Sequence, residues 1–331
     1  MIANALARRN GGGVPVTLPA ASSLGVTFIV KYGLSGVAQW ATTLAGSRAT
    51  IGYGLGLDST GVYVTGSYSN LNTPASLGNG VTLPVSALLD VFTAKYDKNG
   101  VAQWASVISG TGSDSGYGLA VDSTGVYVTG LYSNATSASL GNGVTLPTSV
   151  GNDTFIAKYD VSGVAQWASV IGGTGSDSGY GLAVDSTGVY VTGQYSNTTS
   201  LSLGNGVTLP TSISNDTFIA KYDVSGVAQW ATAISGTGTD TGRGIAVDST
   251  GVYVTGQYSN TTSNVSLGNG VTLPTSISND AFTVKYDLSG VAQWATAISA
   301  SGTADSGRGI AVDSTGVYVI GSYAASSGVT L

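Results

Sequence analysis

The sequence predicts an all-β fold made from one unit used five times, and three observations carry that prediction. First, the five tryptophans, Trp40, Trp104, Trp167, Trp230 and Trp294, each lie in V-A-Q-W-A and recur every 63 or 64 residues along the 331-residue chain. A fixed period of several tens of residues is the signature of a repeat architecture. Second, the conserved text around each tryptophan consists of short runs of alternating large and small side chains broken by Gly, Ser and Asn, the pattern of strands and turns. Third, only 8% of the residues are charged, so the chain is too apolar for disorder.

Each copy holds four strand-like runs, clearest in the second. Strand a is G-Y-G-L-A-V-D (Gly116 to Asp122) and strand b is V-Y-V-T-G (Val126 to Gly130). Strand c is F-I-A-K-Y-D (Phe155 to Asp160) and strand d is V-A-Q-W-A-S-V-I (Val164 to Ile171). The a-b and c-d joints, Ser-Thr-Gly and Val-Ser-Gly, are short and end in glycine, as hairpin turns with a last residue at positive φ require.

This text resembles the β-propeller repeat family called SBBP, with its AKYD…G…W…GYGIAVDS.GNVYVTG pattern, and more distantly NHL and YVTN propeller repeats. The likeness covers residues from about 27 to 323 in five copies. It implies a propeller scaffold and no single activity. Members occur in secreted or surface bacterial proteins, and similar repeats occur in large DNA viruses, so a cell-surface, extracellular or virion-associated setting is expected.

Strand order follows from space. Innermost strands crowd the axis and suit small residues such as Gly116, Gly118 and Ala120, whereas the tryptophan strand fits the wider outer gap. The chain opens with c and d (Phe28 to Leu44) and closes with a and b (Gly307 to Gly321). A five-bladed β-propeller of four-stranded blades is therefore predicted, closed by pairing the N-terminal c-d strands with the C-terminal a-b strands, because closure leaves no sheet edge. The expected blades are 52–110, 116–172, 179–235, 242–299, and 307–331 plus 14–46, in a single domain over 14–331. Linker text also overlaps at the two ends, G-V-T-L at Gly328 to Leu331 and P-V-T-L-P at Pro15 to Pro19. Residues 1–13 are expected to be a flexible tail, available for docking to an assembly, and they lack the apolar core of a secretory signal.

The period exceeds a WD40 blade's roughly 40–45 residues. The surplus lies between b and c, where S-L-G-N-G-V-T-L-P repeats, and Leu140, Val144 and Leu146 are expected to pack on their own blade. Long b-c loops and d-a links then share the face better suited to binding.

Composition excludes much chemistry. Without cysteine or histidine there is no thiolate, disulfide or imidazole. No apolar run is long enough to span a membrane as a helix, and scattered basic residues with a net charge of −6 argue against nucleic acid. All 17 acids are aspartates in repeat register, five ending strand a, four ending strand c, four preceding a and four preceding c. No acid is unique, so no acid-base pair with distinct environments is visible, and the strand-end aspartates read as turn acceptors. Asp114, Asp177, Asp240 and Asp305, before strand a, are the candidate metal ligands, with Ca²⁺ the ion their hard oxygens would suit. That ring is broken in the first copy, which has Arg48 and no aspartate.

Lys31, Lys95, Lys158, Lys221 and Lys285 fall inside strand c, where a charge needs a partner, expected to be a neighbouring blade's aspartate. Position two of strand a reads Tyr53, Tyr117, Tyr180, Arg243 and Arg308. Strand b is followed by Tyr68, Tyr132, Tyr195, Tyr258 and Tyr323. These tyrosines, with Arg243 and Arg308, are the candidate ligand face, inter-blade packing being the competing role. Six N-x-S/T sequons occur, at Asn134, Asn152, Asn197, Asn215, Asn260 and Asn264. The functional expectation is a non-enzymatic structural or interaction module on a larger assembly, with protein partners or surface glycans and no required cofactor. The alternative is a lectin-like, multivalent carbohydrate-binding protein.

Overall fold

A computed structural model describes residues 16–18, 25–44, 48–276, 278–299 and 304–324. The tail expected over residues 1–13 and the linker at 328–331 lie outside the described residues. The order begins with a hairpin, β1 (Thr27–Tyr32) and β2 (Ala38–Leu44). The first full unit is β3 (Thr50–Leu57), β4 (Gly61–Asn70), β5 (Ala75–Gly78), β6 (Val81–Leu83), β7 (Ser86–Asp97) and β8 (Ala102–Ile108). The second is β9 (Ser115–Asp122), β10 (Gly125–Tyr132), β11 (Ala138–Gly141), β12 (Val144–Leu146), β13 (Asp153–Asp160) and β14 (Ala165–Ile171). The third is β15 (Ser178–Asp185), β16 (Gly188–Tyr195), β17 (Leu201–Gly204), β18 (Val207–Leu209), β19 (Asp216–Tyr222) and β20 (Ala228–Ile234). The fourth is β21 (Thr241–Asp248), β22 (Gly251–Tyr258), β23 (Val265–Gly268), β24 (Val271–Leu273), β25 (Asp280–Tyr286) and β26 (Ala292–Ile298). A last hairpin pairs β27 (Ser306–Asp313) with β28 (Gly316–Ser322).

Each full unit is one antiparallel sheet in the order a-b-c-d, for example β9-β10-β13-β14. The b-c insert is itself a small hairpin such as β11-β12, turned on Gly141, Asn142 and Gly143 at positive φ. Asn142 Nδ2 donates to the Ala165 carbonyl at 2.9 Å. Leu140 and Leu146 are buried with Phe155 and Ala165, and Val144 packs beside them. The insert is therefore part of its own blade, as the repeated apolar positions predict.

The strand-end aspartates make the turns. Asp122 Oδ1 accepts from the backbone N–H groups of Thr124 at 2.7 Å and Gly125 at 3.0 Å. Asp160 Oδ1 does the same for Ser162 and Val164, at 2.9 and 3.0 Å. Such local acceptors compete with water for turn N–H groups and fix the hairpin.

The core lies between units as much as within them. One buried cluster joins Tyr63, Val91 and Ile108 of the first unit to Val126, Phe155 and Tyr159 of the second. Another joins Tyr127, Ile156 and Ile171 to Val189, Phe218 and Tyr222. Stability thus rests on interfaces between neighbours, the usual energetics of repeat arrays. Strand a is the close-approach strand: a Cβ on Gly118 would lie 2.9 Å from the Tyr180 carbonyl oxygen, and one on Gly181 2.9 Å from that of Arg243. Only glycine lets the backbones meet this closely.

The ladder expected between the two terminal hairpins is absent among the described residues, where β1-β2 and β27-β28 are separate two-stranded sheets. The last hairpin is correspondingly bare. Tyr318, Val319 and Ile320 are 57%, 40% and 72% exposed, whereas the equivalent Tyr127, Val128 and Thr129 are fully buried.

Candidate functional site

The outer tryptophans join one unit to the next. Trp40, Trp104, Trp167 and Trp230 donate from Nε1 to the carbonyl oxygens of Lys98, Val161, Val224 and Leu288, at 2.8, 3.1, 3.0 and 3.0 Å. Beneath each indole lies the turn glycine of that next unit, Gly100, Gly163, Gly226 or Gly290. Among the described residues, the lysines are not paired with an aspartate of a neighbouring unit; Lys31 and Lys95 donate instead to the carbonyls of Lys98 and Val161, at 3.2 and 3.3 Å. Lys95, Lys158, Lys221 and Lys285 stand over the rings of Tyr63, Tyr127, Tyr190 and Tyr253 at 4.9–5.1 Å. The expected carboxylate partner is replaced because the b-c register sets this tyrosine directly across from the lysine, as in Tyr127 and Lys158. A cationic head over a π face is stabilised without a carboxylate.

On the side of the tight turns, neighbouring units leave open clefts. One, of about 370 Å³, is bordered by Thr60, Lys95, Asp97 and Trp104 and by Val161 and Ser162 of the next unit. A second, of about 450 Å³, repeats it at Thr124, Lys158, Asp160 and Trp167. Their polar groups are engaged: Asp97 accepts from the N–H groups of Asn99 and Val101, at 2.8 and 2.9 Å, and Lys95 donates to the Val161 carbonyl at 3.3 Å.

Asp114, Asp177, Asp240 and Asp305 do not form one ring of ligands. Each is fully buried at its own junction. Their carboxylates accept from the backbone N–H groups of Ser133, Ser196, Ser259 and Ala324, at 2.7–2.9 Å. Their own N–H groups donate back to the preceding unit, Asp177 to the Asn152 carbonyl at 2.6 Å. Among the described residues, no three acidic side chains are grouped.

What the repeat register did not reveal is that these acids come in pairs. Asp114 feels the charge of Asp90, Asp153 that of Asp177, Asp240 that of Asp216, and Asp280 that of Asp305. Each pair joins the start of one unit's strand c to the start of the next unit's strand a. Burial pushes Asp90, Asp114, Asp177 and Asp216 up to about 6. Burial, reinforced by the partner's charge, pushes Asp153 and Asp240 up to about 7. Two neighbouring buried carboxyls resist double ionisation. The signal available in the sequence was the near-constant spacing of each aspartate before strand c from the next one before strand a, as in Asp90 and Asp114 or Asp153 and Asp177.

The ligand-face expectation for the strand-b tyrosines is corrected. Tyr68, Tyr132, Tyr195 and Tyr258 have no exposed surface and lie in the cores, turned inward beside Phe92, Phe155, Phe218 and Phe282 respectively and the b-c insert. Tyr195 and Tyr258 donate to the carbonyls of Pro210 and Pro274, at 3.1 and 3.0 Å. Tyr323, after the last strand b, is 63% exposed. The sequons Asn134, Asn197 and Asn260 are buried as well.

Position two of strand a is placed differently. In every copy the a-b register slips at this residue, as between Gly179 and Gly181 opposite Gly193 and Thr192. Tyr53, Tyr117, Tyr180, Arg243 and Arg308 are thus bulge residues without a ladder partner. A bulge re-aims its side chain, and here successive side chains meet. The Tyr53 and Tyr117 rings are 5.1 Å apart, Tyr117 and Tyr180 are 5.4 Å apart, and Arg243 Cζ lies 5.9 Å from the Tyr180 centroid.

No helix among the described residues is long and apolar enough to cross a membrane. No family model matches the chain. The chain is similar to an uncharacterized WD repeat-containing protein, L264, of Acanthamoeba polyphaga mimivirus, with 27% identity over 372 aligned residues. The match takes in 94% of this chain but spans only 27% of that relative's length. Repeated four-stranded antiparallel sheets and this likeness together support a β-propeller repeat protein.

Proposed function

We propose that the chain is a non-enzymatic protein-interaction scaffold of SBBP type, presented on a larger assembly such as a cell or virus-particle surface. The carrying observation is that the carboxylates able to do chemistry serve structure instead, copy after copy, in turns and at unit junctions. The likeness to a WD repeat-containing protein supports the same reading. The test is to reconstitute a complex from this protein and one purified partner, identified by proximity labelling in the source organism. A complex lost on substituting exposed loop residues, with folding intact, supports the scaffold. Turnover of a substrate, abolished by a single aspartate substitution that leaves the fold unchanged, overturns it.

The scaffold we infer is a closed five-bladed propeller. Supporting it is the fit of its two half-blades. Carrying the register of β16 with β19 onto the ends sets Val317 opposite Tyr32, Tyr318 opposite Lys31, Val319 opposite Val30 and Ile320 opposite Ile29. Lys31 then meets the Tyr318 ring as Lys221 meets Tyr190. Trp294, 38% exposed, finds its acceptor in the carbonyl of Leu34 and its glycine in Gly36. Since the chain has no cysteine, a Val30→Cys, Val319→Cys variant tests closure directly. An intramolecular disulfide in a monomer supports the ring. Only intermolecular disulfides, or none under oxidation, overturn it.

A further inference from the structure

We propose that Arg243 and Arg308 form an oxyanion site, taking a carboxylate or phosphate group, with the Tyr180 ring beside it. Both arginines are bulge residues of adjacent strands, β21 and β27, and the backbones beside them touch: a Cβ on Gly244 would lie 3.1 Å from the Gly309 Cα. The two guanidiniums therefore leave neighbouring main chains at the same level. In an acidic chain, two adjacent cations would be expected to recruit carboxylates, yet neither has a carboxylate partner among the described residues. Asp240, three residues before Arg243, accepts from the N–H groups of Ser259 and Gly236, at 2.7 and 2.6 Å, and Asp305, three residues before Arg308, accepts from that of Ala324 at 2.9 Å.

A second observation points to a missing acceptor. The Nε of Arg243 is buried and has no hydrogen-bond partner among the described residues. A buried donor without an acceptor is costly, more so on a charged group. Burial and the charge of Arg308 both lower the Arg243 pKa, as expected of a partly buried cation close to a second one. An oxyanion bridging the pair would supply the acceptor and offset the repulsion, and the planar guanidinium fork matches carboxylate and phosphate oxygens. On one side, Tyr180 and Tyr117 offer ring surface to an organic group carrying that anion. The first three copies have tyrosine at the same bulge, so the pair of arginines is a local departure from a shape the fold accepts with tyrosine.

The site uses β15, β21 and β27 alone and stands whether or not the ring closes or a protein partner exists. The test is an NMR titration of the full chain, following the arginine Nε–Hε signals, with inorganic phosphate in one arm and acetate in the other, each against sodium chloride of matched ionic strength. Saturable shifts of Arg243 and Arg308 in either arm support the site, and the responding arm identifies the oxyanion. Arg243→Lys should weaken binding about tenfold through loss of the fork. The double variant R243Y/R308Y, which restores the side chain of the other copies, should stay folded and abolish saturation. Overturning results are shifts no larger than chloride gives in the folded wild type, or saturation of the remaining signals that is unchanged in the double variant.

Discussion

The indole Nε1 of Trp104 donates to the Val161 carbonyl oxygen at 3.1 Å, and this bond ties the outer strand of one unit to the turn of the next. Gly163 of that turn lies against the same ring, so its absent side chain and the tryptophan are one joint. The joint recurs at Trp40, Trp167 and Trp230.

Trp104→Phe should keep most of the packing and lose the hydrogen bond, at a cost of about 1 kcal/mol. Trp104→Ala should cost about 3–5 kcal/mol. Urea unfolding at fixed pH measures both, and equal losses in the two variants would show that the joint is not held by packing.

Gly316→Ala separates an open array from a closed one, and Gly163→Ala is the control that is damaging in both. Gly163 has φ of 86° and a Cβ there would lie 2.5 Å from the Trp104 ring, so alanine should destabilise by several kcal/mol. Gly316 has nothing within 4 Å of its Cβ position, whereas a Cβ on the equivalent Gly188 would lie 2.1 Å from the Tyr222 carbonyl oxygen. In the closed ring Gly316→Ala should therefore be as damaging as Gly188→Ala. A neutral Gly316→Ala in thermal unfolding would mean that β28 keeps a free edge in solution.

Stability should fall as pH rises from about 4 to 7. Asp153 and Asp177, pushed up by burial to about 7 and about 6, keep protons in the folded chain at pH values where an unfolded aspartate near 4 has lost them. The folded state then binds more protons than the unfolded one, so the slope of unfolding free energy with pH is negative through that window. The turn aspartates act in the opposite sense. At Asp58 burial works upward, but hydrogen bonds from Thr60, Tyr63 and Gly61 outweigh it and hold the group at about 2. Its contribution is complete above about pH 4 and is lost as pH falls towards 2. Urea midpoints from pH 3 to 8.5 should peak near 4–5, and an Asp153→Asn, Asp177→Asn variant should make the alkaline side less steep, the other buried pairs remaining. A midpoint that climbs steadily from pH 5 to 8 would contradict the buried pairs.

Tyr195→Phe and Tyr132→Phe should differ although the residues are repeat equivalents. Tyr195 loses its bond to the Pro210 carbonyl, costing about 1 kcal/mol. The Tyr132 hydroxyl is buried, beside Asp153 and Asp114, without a hydrogen-bond partner among the described residues, so its removal should be neutral or slightly stabilising. Thermal unfolding of the two single variants at one pH compares them directly.

Much of the fold was legible because a repeated sequence states each local rule several times over. The strand runs and the Asp-started hairpin turns follow from short-range spacing, the a-b-c-d order from small residues in strand a and the tryptophan in strand d, and each is present. The side-chain environments of the candidate site were less legible. Tyr132 and Tyr117 read alike in sequence, as tyrosines in ring-like register. One is sealed in a blade core and the other sits at a bulge in contact with Tyr53 and Tyr180.

The sequence alone determined the unit, its length, its strands and turns, and the absence of thiol and imidazole chemistry, since these depend on residue type and on neighbours a few positions away. Only the tertiary structure decided which groups meet across units: Trp104 with Val161, Asp153 with Asp177, and Arg243 with Tyr180 beside Arg308. The physical reason is that most of these meetings depend on how one sheet is set against the next. That setting is fixed by glycine backbones in contact and by cores shared between blades, whose partners lie some 60 residues apart in the chain.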